Sequence, residues 1–288
     1  MIYCTKGGNM KKPVIAICYD FDKTLAINDM QSFSFIPNLG LTTQEFWAKC
    51  NNFAKRHAMD ITLCYLLTMI HQCKKKNIPL SREYLCGLGK DIKFFDGVET
   101  WFRRLNRYAE TKGVKLEHYL ISSGNKEILE GCKIIDEFDG VFGCEFLYDK
   151  TGAAIWPKTL INHTLKTQCL FRICKGAHDL SDDKTVNRRT AKKHVEFRNM
   201  IYIGDGVTDV PCMTLVKERG GTSIAVYQDG QKDISLELVA ENRVNYACKT
   251  NFKTGSGLEK LVKLIIDSLT LQEKLFSKEH KTKTQSKK

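Results

Sequence analysis

Val14-Ile15-Ala16-Ile17-Cys18-Tyr19-Asp20-Phe21-Asp22-Lys23-Thr24-Leu25 is the stretch on which the fold reading turns. Its first six residues form a short apolar run, the mark of a strand buried on both faces. The run breaks at two carboxylates separated by one aromatic. In extended backbone, alternate side chains share a face. Asp20 and Asp22 can therefore open on one pocket while Phe21 packs inward. Two close carboxylates repel each other and call for a cation or a shared proton.

Reading outward, the chain alternates strand-like and helix-like segments, the pattern of a parallel sheet covered on both faces. Gly97 to Lys112 carries Val98, Trp101, Phe102 and Leu105 on one helical face. Tyr119 to Ile121 is a second strand, closed by Ser122-Ser123-Gly124, and Lys126 to Ile135 is helical. Val141 to Tyr148 and Ala153 to Trp156 flank Asp149-Lys150-Thr151-Gly152 as a hairpin. Met200 to Ile203 is a third core strand, ending in Gly204-Asp205-Gly206. Ser223 to Tyr227 is a fourth, and Leu258 to Leu269 a closing helix. Open parallel sheets bind ligands at the carboxyl ends of their strands. Asp20, Asp22, Ser122, Asp205 and Asp209 are thereby expected at one edge, and such a set of hard oxygens suits magnesium.

The order of these segments resembles the haloacid dehalogenase (HAD) superfamily. Asp20-Phe21-Asp22-Lys23-Thr24-Leu25 matches its first motif, Leu120-Ile121-Ser122 is similar to its second, and Ile203-Gly204-Asp205-Gly206-Val207-Thr208-Asp209 resembles its fourth. The resemblance spans about Pro13 to Tyr227 and implies an α/β, HAD-like Rossmannoid three-layer sandwich with a parallel central sheet and a small helical cap. It implies an Mg2+-dependent phosphomonoester hydrolase acting on a small phosphorylated metabolite through an aspartyl-phosphate. Asp20 would be the nucleophile and Asp22 the acid/base. Ser122 would bind a phosphoryl oxygen, with Thr24, Ser123 and Gly124 beside the substrate. Asp20, Asp22 (through its backbone carbonyl), Asp205 and Asp209 would hold the metal. An acid at Asp22 points to phosphate esters rather than carbon–halogen bonds. The same acids would equally serve a phosphotransferase or phosphomutase.

The third motif of the family is a lysine, and three candidates compete. Lys166 opens a helical run and is favoured; Lys175 ends that run, and Lys184 sits in a charged insert over 175–197. Asp209 could alternatively be an acid at a helix N-terminus. Gly124 and Gly206 could simply permit turns.

The long stretch 30–93 holds Phe46, Trp47, Phe53, Leu63, Leu66, Leu67 and Ile70 at helical spacings, too apolar for a loop. It is read as the helical cap, placed as in phosphoserine phosphatase-like members, with Arg56 and His57 as candidate readers of substrate charge against the alternative of a solvated face. Residues 13–29 and 94–271 then form the discontinuous core, 1–12 a flexible N-terminus and 272–288 a basic, disordered tail.

The net charge of +12 is partly that tail, which carries six lysines and two glutamates. Arg188, Arg189, Lys192, Lys193 and Arg198 add a second basic cluster. A nucleic-acid-binding protein on an idle scaffold is the weaker alternative these charges raise, since no aromatic-interleaved basic motif accompanies them. The twelve cysteines fall mainly in apolar segments without a C-x-x-C pair, which suggests free thiols and a cytoplasmic setting. No apolar run approaches the about 20 residues needed to cross a bilayer.

Overall fold

The computed structural model describes residues 12–189 and 193–285. Seven strands run in chain order: β1 (Val14–Tyr19), β2 (Lys115–Asn125), β3 (Gly140–Tyr148), β4 (Ala154–Thr159), β5 (Met200–Gly204), β6 (Thr222–Tyr227) and β7 (Tyr246–Lys249). They form one sheet in the order β4-β3-β2-β1-β5-β6-β7. Every neighbouring pair is parallel except the β3–β4 hairpin. β1 lies at the centre, and five of its six residues are buried. That position explains its unbroken apolar run, because both its faces are covered.

The helices are α1 (Phe35–Asn38), α2 (Thr43–His57), α3 (Ile61–Lys76), α4 (Arg82–Leu88), α5 (Val98–Lys112), α6 (Lys126–Glu130), α7 (Lys166–Lys175), α8 (Asp183–Asn187), α9 (Val210–Glu218), α10 (Lys232–Ala240) and α11 (Gly257–Gln285). The first four occupy the stretch expected to be helical. A capping box starts α2: Glu45 N–H donates to the Thr42 hydroxyl, while the Glu45 carboxylate accepts from Thr42 N–H. Asp60 caps α3 by accepting from the amides of Thr62 and Leu63. Both helices end in basic turns, Lys55-Arg56-His57 and Lys74-Lys75-Lys76, which suit the negative end of the dipole.

Several elements depart from expectation. β2 runs to Asn125, well past Ile121, because Asn125 still pairs with Cys144 of β3 beyond a register irregularity. The helix expected to reach Ile135 stops at Glu130. β7 and α10 were not expected; β7 is a four-residue edge strand too short for a clear periodic signal. The polar stretch 175–197 is not wholly superficial, since Val195 and Phe197 are buried.

The largest difference is at the C-terminus. The stretch from residue 272, expected to be disordered, continues α11 as far as Gln285. Lysine, glutamate, glutamine and leucine are good helix formers, so a low-apolar composition here propagates a helix. The start of that extension is also anchored. Glu273 accepts from Arg198 and Asn199, and the Arg198 guanidinium lies 4.1 Å from the Phe276 ring centroid. The expected flexible N-terminus, apart from Lys12, and Lys192 of the basic cluster lie outside the described residues.

Candidate active site

Asp20 leaves the carboxyl end of β1 and is 4% exposed. Its amide donates to the carbonyl of Ile203 at 2.9 Å, tying it to the neighbouring end of β5. Asp205 follows the end of β5, and Asp209 stands where α9 begins. Carboxylate oxygens of Asp20, Asp205 and Asp209 lie within 4.8 Å of one another. Gly204 makes this possible: a Cβ there would fall 2.7 Å from the Asp209 carboxyl.

Lys166, the first residue of α7, reaches into this cluster. Its ammonium donates to Asp20 Oδ1 at 2.6 Å and Asp209 Oδ1 at 2.8 Å, and the residue is 1% exposed. The other two candidate lysines are elsewhere. Lys175 donates to the carbonyl of Arg188, and Lys184 is exposed on α8. Asp209 does not cap α9 through its side chain. It accepts from Lys166 and from the Tyr202 hydroxyl at 2.7 Å on one oxygen, and its other oxygen is buried without a protein partner.

Burial raises these carboxyls, and mutual repulsion adds to it. Asp20 is pushed up to about 6 by burial and Asp209, against the pull of Lys166. Asp205 is pushed up to about 8 by burial, Asp20 and Asp209. Burial alone would lower the Lys166 ammonium, but Asp20 and Asp209 outweigh it and hold its pKa above the ordinary lysine value. Asp22 rises well above the usual carboxylate range through burial, then Asp29 and Asp20. One Asp22 oxygen accepts from the Met30 amide at 2.8 Å, which fixes the carboxyl at the entrance to the helical insert.

A cavity of about 340 Å³ opens over these groups. Asp20, Asp22, Lys166, Asp205, Ser123 and Gly124 line it, as the sequence suggested. Ser122 and Thr24 do not line it. Ser122 is 1% exposed and its oxygen accepts from the Gly124 amide at 2.9 Å, leaving its own proton free. Thr24 is buried behind Asp20, its hydroxyl 3.5 Å from Oδ2, so it supports the carboxylate rather than the cavity wall. Gly124 serves a close approach rather than a left-handed turn, because a Cβ there would meet the Met30 side chain at 2.1 Å. Arg56 and His57 are exposed at the end of α2 and take no part in the wall.

The insert contributes residues that no motif marked: Gln31, Trp47, Ile61, Thr62 and Tyr65. His163 and Thr208 were also missed, although Thr208 lies inside a quoted motif. Several hydrogen bonds hold the insert beside the cavity, two of them near its walls. Tyr65 donates to the carbonyl of Ser123 at 2.6 Å, and Asn162 donates to Asp60 at 2.9 Å.

A hard divalent cation fits this floor. Three carboxylates converge, Lys166 is the one ammonium ion-paired with them among the described residues, and an Asp209 oxygen is left without a partner.

Comparison with known proteins points the same way for the fold. No family model matches the chain. An uncharacterized protein of Borreliella burgdorferi is 25% identical over 279 residues, covering 87% of this chain and 95% of the relative. Among solved structures, a HAD family hydrolase of Salmonella enterica serovar Typhi superposes with TM-score 0.57 at 18% identity, covering 88% of this chain and 72% of that one. A phosphoserine phosphatase captured as a phospho-aspartyl intermediate analogue gives 0.55 at 17%, covering 88% and 99%. A probable phosphoserine phosphatase from Vibrio cholerae gives 0.58 at 14%, covering 91% and 67%. With its seven-stranded, mostly parallel sheet and the helical insert after β1, this chain has the HAD fold in its phosphoserine phosphatase-like form.

Proposed function

We propose that the chain is a magnesium-dependent phosphomonoester hydrolase working through an aspartyl-phosphate on Asp20. The observation that carries this reading is Asp20 on the cavity floor, gripped by Lys166 and flanked by Asp22, whose carboxyl is pushed by burial well above the usual carboxylate range. A nucleophile and a proton donor two residues apart suit an ester that must gain a proton as it leaves.

In the first step an Asp20 oxygen attacks phosphorus, and the bond to the leaving oxygen breaks as Asp22 gives it a proton. In the second, the Asp22 carboxylate takes a proton from water, whose oxygen attacks phosphorus and releases Asp20 and phosphate. The Ser123 hydroxyl, buried without a partner beside the cavity, is the donor proposed for a phosphoryl oxygen, with Ser122 behind it accepting from the Gly124 amide. Asp20, Asp205 and Asp209 would hold the cation together with the backbone carbonyl of Asp22. When bound, magnesium would neutralise charge on the transferring phosphoryl group. Helices α1–α4 are proposed as the cap that excludes water from the floor.

A cytoplasmic setting is part of the proposal, supported by free thiols at all eleven described cysteines. No helix among the described residues is long and apolar enough to cross a membrane.

The test is phosphate release from an aryl phosphate with and without Mg2+, together with acid-stable trapping of label on the peptide containing Asp20. Magnesium-dependent turnover that Asp20→Asn abolishes is the expected result. Turnover untouched by Asp20→Asn sinks the proposal.

A further inference from the structure

The walls of the cavity differ in charge according to which part of the chain supplies them. Every wall residue from helices α1–α4 and their flanks between Gln31 and Tyr65 is uncharged: Gln31, Trp47, Ile61, Thr62 and Tyr65. Resting on the phosphatase reading, we infer that the substrate is a phosphomonoester whose alcohol is uncharged and carries a single flat, apolar ring, seated against Trp47, Ile61 and Tyr65.

The argument begins with charge. A buried charge on the leaving group needs a counter-charge to offset its lost hydration. Among the described lining residues, each lysine is already paired: Lys166 with Asp20 and Asp209, and Lys23 with Asp29 at 2.9 Å. His163 stands at the exposed rim. No buried cation is left for a carboxylate or a second phosphate. The acids are committed as well. Asp29 is held by Lys23, Asp22 by the Met30 amide, and Asp20 and Asp205 by the cluster on the floor. No carboxylate is reserved for an ammonium group.

Shape carries the rest. Trp47 packs edge-on between Phe46 and Tyr65, with ring centroids 5.4 and 5.7 Å away, and remains half-buried. Its orientation is therefore set, and part of its surface is left toward the cavity. The Tyr65 hydroxyl is occupied by the Ser123 carbonyl, so this residue offers the cavity its ring rather than a donor. The cavity's volume of about 340 Å³ is at the small end for ligand sites. Once a phosphoryl group is seated on Asp20, room remains for a body of roughly one ring.

The test uses the full chain with Mg2+ and compares kcat/KM for benzyl phosphate, phosphoserine, phosphocholine and acetyl phosphate. Benzyl phosphate is expected to exceed phosphoserine and phosphocholine by about tenfold or more, the scale of one apolar group in a pocket. Trp47→Ala should cut the benzyl-to-acetyl ratio by about tenfold, and Trp47→Phe should keep most of it. Acetyl phosphate has almost no leaving group to recognise, so it reports on the chemistry alone. If it is hydrolysed through Asp20 while benzyl phosphate shows no advantage, the substrate inference is wrong and the phosphatase reading stands. A preference for phosphocholine would also overturn it, turning the aromatic pair into a cation site. If no ester and no acetyl phosphate is turned over, both fall together.

Discussion

The floor and the roof of the cavity are built on opposite principles. The floor, at the carboxyl ends of β1 and β5, packs three acids and a lysine into a volume where Asp20, Asp209 and Lys166 are almost wholly buried. The roof, from α2, α3 and their flanks, is aromatic, aliphatic and neutral-polar. Charge on the floor is costly and persists only because each group is paired or awaits a cation. Nothing on the roof carries such a cost. On the proposed function, the difference separates two duties, with the floor given to phosphoryl chemistry and the roof to choosing what is attached to the phosphate.

Breaking the floor should have the largest effect. Asp20→Asn keeps the size of the side chain but removes the proposed nucleophile, and phosphate release should fall by at least ~10³-fold. Next comes Lys166→Met. It leaves Asp20 and Asp209 without their shared ammonium, and should destabilise the metal-free protein by ~3–5 kcal/mol in urea unfolding. A melt unchanged by this substitution would show that the floor is not held by this pairing.

A smaller effect concerns pH. Asp20 and Asp205 have folded-state pKa values of about 6 and about 8, above the ordinary aspartate value of 3.8. Without a cation, the folded protein binds more protons than the unfolded chain between those limits. Its stability from this source is therefore present at low pH and lost as pH rises through that window. A cation that replaces the protons should add more stability at pH 8 than at pH 5, about 2–3 kcal/mol at saturating Mg2+. Thermal melts at the two pH values, with and without Mg2+, measure the difference, and an equal Mg2+ shift at both refutes it.

The roof should respond least. Tyr65→Phe removes the hydrogen bond to the Ser123 carbonyl and should cost ~1–2 kcal/mol, seen as faster amide exchange in α3 while the sheet stays protected. Uniform loss of protection across sheet and insert would mean that the two regions are not separable in this way.

The site was unevenly legible. Asp20, Asp22, Asp205 and Asp209 could be placed from sequence because strands reveal themselves by apolar runs and their ends fall at one edge of a parallel sheet. Lys166 was favoured through the family resemblance, as a lysine opening a helix, but its burial between two acids could not be read, because such a lysine carries no local sign of it. Ser122 and Ser123 are adjacent in a strand that continues to Asn125, so composition could not say which would line the cavity. Arg56 and His57 were candidates because they are charged, but they lie on the exposed end of α2. The residues that do face the cavity from the insert, Trp47 and Tyr65, look in sequence like ordinary core aromatics.

The same limit applied to the C-terminus. A lysine-rich stretch shows its charge but not the contacts of Arg198 with Glu273 and Phe276 that anchor the extension of α11.

By itself, then, the sequence determined the four core strands β1, β2, β5 and β6, the β3–β4 hairpin and the acids at the strand ends, because these depend on local periodicity and on rules of strand order. Only the tertiary structure decided which lysine balances those acids, which serine faces the cavity and that the roof is uncharged. Those outcomes depend on side chains far apart in the chain meeting in one buried volume, where a missing partner costs more than any local preference can offset.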